Sequence, residues 1–197
     1  VTEQSRVGLG GEIPILIKMN GQPVISISGI GVAPAKATVE YYKNRQPEDW
    51  EKGMGARRPA PIPAIGPRAA ITPGLFDGLL VALEKYGTLS FAQVVKPAIQ
   101  AAGGFAPGDE FSDFLKDLLE YHRRWTDSFW FFYPTGRAPL RGDSLELPTL
   151  AKTFESLAEA ETKAQGSREQ KIQAVHDYFY KGPIAHKLAD ASAALDG

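Results

Sequence analysis

The chain contains no cysteine, so it can form no disulfide, thiolate nucleophile or cysteine-ligated zinc site, and thiols carry no information on its redox compartment. Histidine is scarce. His122, His176 and His186 are the three present, and they lie on separate predicted helices without paired ligand spacing, so no metal site is expected. An excess of one charge is also missing, since 22 Lys and Arg face 23 Asp and Glu for a formal net charge of −1. With no long basic run, neither nucleic acid nor an anionic membrane is expected as the main partner. The pairs Arg57-Arg58 and Arg123-Arg124 read as solvated surface. No apolar run approaches the roughly 20 residues of a membrane span, and the residues from Val1 onward do not resemble a signal peptide.

Strand signals are the other shortage. Glu12 to Gly29 reads as a β-hairpin, with an apolar strand through Ile13, Ile15 and Ile17, an Asn20-Gly21 turn, then Val24, Ile25 and Ile27. Asn-Gly favours the type I′ turn, whose twist matches paired strands. Nearly every strand position is apolar, which predicts burial on both faces inside a layered structure. A two-stranded hairpin is not stable alone, and no other convincing strand appears. Either strands are supplied from outside this stretch, or the hairpin packs wholly on helices. The preceding Gly8-Leu9-Gly10-Gly11 is a poor phosphate loop, because such a loop follows a strand and opens a helix. Tight backbone packing is the better account.

Helical periodicity is what the sequence has most of. At 197 residues with 43% hydrophobic content the chain can bury the core of one domain, while 15 Pro and 20 Gly make it loop-rich. The best-signalled stretch is Thr72 to Phe105, two helices joined by a corner. Leu75, Phe76, Leu79, Leu80, Leu83 and Tyr86 form one apolar face, and Gly87 is expected to end the helix in the left-handed conformation. Ser90 and Gln93 form a capping box, with Leu89 placed to staple onto Val94. Pro97 predicts a kink or early end in the second helix, and Gly103-Gly104 close it.

Elsewhere Thr38 is placed to cap a short helix through Tyr41 and Tyr42. Residues 44–67 and the charged stretch 161–175 read as surface loops, with a capping box at Ser167 and Gln170 starting a helix at 168. Asp109 is expected to cap a helix with Phe111, Phe114, Leu115, Leu118, Leu119 and His122 on one face. His122 there reads as a packing residue, and the aromatic run Trp125, Phe129, Trp130, Phe131, Phe132, Tyr133 as packing under a loop. A helix over 149–161 turns Leu150, Phe154, Leu157 and Ala158 inward, and Ile184, Leu188, Ala191 and Leu195 form a last stripe. Arg141-Gly142-Asp143 matches an adhesion tripeptide, a match that arises readily by chance.

Several blocks in order resemble the large subunit of the gamma-glutamyltransferases (gamma-glutamyltranspeptidases). They are the glycine-rich entry at 8–11, Ala33-Pro34-Ala35-Lys36-Ala37-Thr38, Thr72-Pro73-Gly74, Gly78, Lys85-Tyr86-Gly87-Thr88, Val94-Val95-Lys96-Pro97-Ala98, Gly104-Phe105, Gly142-Asp143 and Phe179-Tyr180-Lys181-Gly182 with Ile184-Ala185. The loops at 44–67 and 161–175 interrupt the likeness. The resemblance implies an α+β fold: the helix-rich part of an αββα sandwich of the N-terminal nucleophile hydrolase superfamily, with residues 1–197 a single incomplete domain. It further implies a self-cleaving precursor, a small subunit of that precursor as partner, an amide substrate, no cofactor, and a periplasmic or extracellular location.

The resemblance also places the catalytic threonine at the start of the small subunit, with its own α-amine as base, the general logic by which a weak hydroxyl nucleophile is activated. No catalytic residue is therefore expected in this chain, and Thr2 is no substitute while Val1 blocks its amine. The family's arginine for the substrate α-carboxylate, just before Ala-Pro-Ala-Lys-Ala-Thr, falls at Ile30. Losing that charged fork costs about 3–5 kcal/mol of carboxylate binding. Three readings follow: an enzyme of altered acyl specificity, a true gamma-glutamyl enzyme in which Arg57, Arg58 or Arg68 reaches the carboxylate, or a non-catalytic helical binding module or inactive remnant.

Overall fold

The computed structural model describes residues 2, 7–48, 62, 63 and 65–195. Two compact units are present: Val1–Gly8 with Leu83–Val175, and Leu9–Ala82 with His176–Gly197.

In the second of these, β1 (Ile13–Lys18) pairs antiparallel with β2 (Val24–Gly29) from Ile13↔Gly29 to Lys18↔Val24. Asn20-Gly21 lies in the turn, where Gln22 N–H donates to the Met19 carbonyl at 3.2 Å and Gly21 has a φ of 73°. The connection is five residues long, not the two of a tight type I′ hairpin, because Pro23 has no N–H with which to continue the ladder. Burial on both faces does not occur. Ile13, Ile15, Ile17, Ile25 and Ile27 are half-buried, while Leu16 and Val24 are 73% and 61% exposed. The reason is that the described residues supply no third strand and no layer over the second face.

Beyond the hairpin, α1 (Val39–Asn44) is capped as expected, Tyr41 N–H donating to Thr38 Oγ1 at 3.1 Å. The helix α2 (Leu75–Tyr86) buries Leu75, Phe76 and Leu80 but leaves Leu79 largely exposed, and buries Gly78 in its place. Phe76 packs on Phe179, ring centroids 4.6 Å apart, near the end of α7 (Arg168–Tyr180). The last helix, α8 (Pro183–Ala194), has no buried residue. Its stripe does not turn inward, Leu188 and Leu195 being about half exposed.

The other unit holds α3 (Phe91–Ala102), α4 (Asp109–His122), α5 (Thr126–Phe132) and α6 (Pro148–Lys163). Its core gathers Ala102, Phe111, Leu115, Tyr133, Leu145 and Leu147, with Phe105, Leu119 and Phe129 against it. The aromatic run thus serves packing, although Trp130 stays exposed. Two positions differ from expectation along α4: Gly108 is the cap, with Asp109 in the first turn where its charge suits the helix dipole, and Phe114 is exposed. α3 runs through Pro97 to Ala102 without an early end, because Phe91, Val95 and Ala102 are buried and packing carries the helix past one missing hydrogen bond.

The α2–α3 corner is built differently from the sequence expectation. Gly87 is not left-handed, and its N–H donates to the Leu83 carbonyl at 3.0 Å. The helix end is closed instead by the Arg168 guanidinium, which donates to the carbonyls of Leu83, Glu84 and Gly87 at 2.6, 3.2 and 2.5 Å. Ser90 and Gln93 form the expected capping box, while Leu89 and Val94 are both exposed and form no buried staple. The first two N–H groups of α3, those of Phe91 and Ala92, go to the buried Glu161 carboxylate at 2.7 and 2.8 Å. Glu161 and Arg168 come from the stretch read as a loop at 161–175. That stretch is corrected to helix as far as Lys163, followed by a four-residue connection, 164–167, and then the helix from Arg168 that the capping box marked. Gly166 turns the chain at φ 105°, and Ser167 with Gln170 restarts it reciprocally at 2.8 and 3.3 Å.

Candidate functional site

Four glycines allow the end of β2, the turn 72–74 and the start of α2 to cross backbone against backbone. A Cβ on Gly29 would meet the Ile13 carbonyl oxygen at 2.6 Å, and one on Gly31 would meet the Thr72 oxygen at 2.5 Å. One on Gly74 would lie 2.4 Å from the Ile30 carbonyl carbon, and one on Gly78 2.9 Å from the Gly29 Cα. Contacts this short are closed to any residue with a side chain unless the backbone moves. The crossing is tied by hydrogen bonds. Val32 and Thr72 exchange a pair at 3.3 and 2.9 Å, and the Gly11 carbonyl accepts from Gly74 and Leu75 N–H at 3.3 and 2.9 Å. Of the glycine-rich entry at 8–11, Gly11 joins this junction, whereas a Cβ on Gly8 or Gly10 would meet nothing within 4 Å, so the tight packing expected there is not found at those two positions.

Tyr180 secures the outer side of the turn. Its hydroxyl donates to the Pro73 carbonyl at 2.9 Å and accepts from Asp77 N–H at 3.0 Å. Desolvation raises the pKa of this phenol, keeping it a donor. Nothing in its local sequence marks Tyr180 for this role, since both partners lie about a hundred residues upstream.

Ile30 sits in the middle of the crossing, between Gly29 and Gly31, and is 50% exposed. The Gly31 N–H beside it donates to Glu12 Oε1 at 3.0 Å. Of the arginines considered for a substrate carboxylate, Arg68 is ion-paired with Glu48 and its carbonyl accepts the Tyr42 hydroxyl at 2.6 Å. The Glu48 partner raises its already high pKa. Arg57 and Arg58 lie outside the described residues.

The remaining sequence candidates have structural employment. Tyr133 O–H donates to the Leu115 carbonyl at 2.7 Å, and its oxygen lies 2.8 Å from His122 Nδ1. Because that hydroxyl has one proton, His122 must be the donor in their contact. Burial lowers the His122 pKa and raises that of Tyr133 to about 12. His176 Nδ1 contacts Asp177 Oδ1 at 3.0 Å, and no His, Asp or Glu trio converges as a metal-ligand set among the described residues. Asp143 of the adhesion-like tripeptide accepts from Arg137 at 2.7 and 3.3 Å and from Leu140 N–H at 2.8 Å. That ion pair holds its pKa below the usual carboxylate range.

Comparison with known proteins agrees with this architecture. The gamma-glutamyltranspeptidase family model matches residues 1–197. The glutathione hydrolase proenzyme of Escherichia coli K12 is 32% identical over 195 residues, covering 96% of this chain and 29% of its own length. The acylase ACY 1 proenzyme of Pseudomonas sp. strain SE83 is 33% identical over 199 residues, covering all of this chain and 32% of its own length. In structure, the Helicobacter pylori gamma-glutamyltranspeptidase superposes with a TM-score of 0.79 at 22% identity, over 100% of this chain and 50% of that one, a likeness of fold. The chain therefore spans about three-tenths of the length of these curated relatives. A family model matched from end to end and relatives of such identity leave one assignment: the chain belongs to the gamma-glutamyltranspeptidase family.

Proposed function

We propose that residues 1–197 are a single incomplete domain, a portion of the large subunit of a gamma-glutamyltransferase-like enzyme whose acyl specificity has moved away from ordinary gamma-glutamyl groups. The observation that carries this reading is Ile30, half exposed on a closely packed, glycine-lined junction, at the position where the family resemblance expects an arginine for the substrate α-carboxylate. An apolar side chain there offers no fork of donors to a carboxylate. Arg68, already engaged with Glu48, is a poor replacement, which weighs against true gamma-glutamyl transfer. A family relative named as an acylase supports a wider range of acyl groups.

The catalytic group in this reading is the hydroxyl of a threonine at the start of a small subunit cut from the same precursor. It attacks the amide carbonyl while its own α-amine takes the hydroxyl proton and passes it to the leaving amine. Water or a second amine then releases the acyl group. The uncovered face of the hairpin, with Leu16 and Val24 exposed, and the open stripe of α8 support completion of this domain by further chain.

The test is to express the complete reading frame and record intact masses and N-terminal sequences. Two subunits, the smaller beginning with threonine, together with hydrolysis of acyl anilides, are expected. A single uncleaved species without that threonine would instead support a non-catalytic module descended from the family.

A further inference from the structure

Beside Ile30 the junction carries a charge of its own, and it is negative. Glu12 immediately precedes β1, and its carboxylate is brought across to the end of β2, where Oε1 accepts the Gly31 N–H at 3.0 Å. That N–H belongs to the peptide bond that begins at the Ile30 carbonyl, so the carboxylate stands one peptide from the side chain at the substrate-facing position proposed above. Gly31 lies close against the turn that follows, where a Cβ on it would meet Ile71 Cδ1 at 2.4 Å and the Thr72 oxygen at 2.5 Å, and Val32 is hydrogen-bonded to Thr72 immediately beyond.

We propose that Glu12 is a specificity-determining residue that selects acyl groups without a free carboxylate. The inference rests on the reading of Ile30 given above and deepens it, naming the substrate class as uncharged or amine-bearing acyl amides. Removing an arginine takes away an attraction; placing a carboxylate one peptide away adds a repulsion. Discrimination built from both is stronger than from either alone. Two like charges about 4 Å apart near a solvated surface repel strongly enough to change a specificity ratio by about three- to ten-fold, and the effect is screened by salt.

The test uses the complete, self-cleaved enzyme and isosteric pairs of p-nitroanilides, each with a free carboxylate in one member and a carboxamide in the other. Gamma-glutamyl p-nitroanilide and its α-carboxamide form one pair, and a glutaryl and glutaramyl pair another. Glu12→Gln keeps an oxygen to accept the Gly31 N–H and removes the charge. It is expected to raise kcat/KM for the carboxylate member relative to the carboxamide by about three- to ten-fold, and the gain is expected to shrink near 1 M salt, where the screening length is about 3 Å. Glu12→Asp, which keeps the charge, is expected to hold the ratio near that of the unsubstituted enzyme. An active enzyme whose ratio is unmoved by Glu12→Gln, or moved equally by Glu12→Asp, would overturn the role of Glu12 while leaving the acyl-transfer reading intact. A precursor that neither cleaves itself nor turns over any pair would overturn that reading, and this inference with it.

Discussion

Single residues in this chain owe their chemistry to partners outside their own element. His122 falls on the apolar stripe of α4, and its packing role follows from that spacing, but the hydrogen bond it donates goes to Tyr133, just beyond the end of α5. The pair has a predictable pH signature. Burial lowers the folded pKa of His122 below its ordinary value of 6.5, so on acidification the unfolded chain takes up the proton first. Stability is full above about 6.5 and declines as the pH falls toward the folded value. The phenol of Tyr133 behaves in the opposite sense. Its folded pKa is pushed up to about 12 from 10, so the unfolded chain ionises first, and stability falls as the pH rises from 10 toward 12. Urea midpoints measured across pH should show both limbs, and His122→Phe is expected to flatten the acid one. An unchanged acid limb in that variant would remove His122 as its cause.

At the scale of elements, the corner between α2 and α3 shows how a local signal becomes a defined structure. The capping box at Ser90 and Gln93 was legible because its four residues are contiguous. The two groups that complete the corner were not. Glu161 takes the N–H groups of Phe91 and Ala92, and Arg168 takes three carbonyls at the end of α2. Both sit in a charged stretch whose composition alone suggests solvated loop. Glu161→Ala would strand two N–H donors at a buried helix start and remove a charge-assisted bond to each, at a cost of about 2–4 kcal/mol. Urea denaturation should register that loss, with Glu161→Gln retaining part of it because an amide oxygen still accepts. A loss below about 0.5 kcal/mol, the range of ordinary surface substitutions, would mean that water or another group replaces the carboxylate.

At the scale of the whole molecule, the proposed division of the enzyme into subunits carries a prediction. The proposed nucleophile lies on a small subunit, so the 197 residues alone are expected to hydrolyse no acyl anilide, whereas the complete, self-cleaved enzyme is expected to do so. Turnover by the chain alone, free of contaminating enzyme, would place a nucleophile within it. The sequence by itself determined most of the helices, the hairpin, the helical corner and the family wording, because each is written in neighbouring residues as periodicity, caps and turns; the helix at 126–132 and the last turn before Lys163 were not. Tertiary structure decided which faces are covered, that Leu16, Val24 and the α8 stripe stay open, that Tyr180 pins the turn 72–74 and that Glu12 stands beside Ile30. Those facts are contacts between residues from 19 to 107 positions apart. Local periodicity reports which side of an element is apolar, but only the folded chain determines what that side meets.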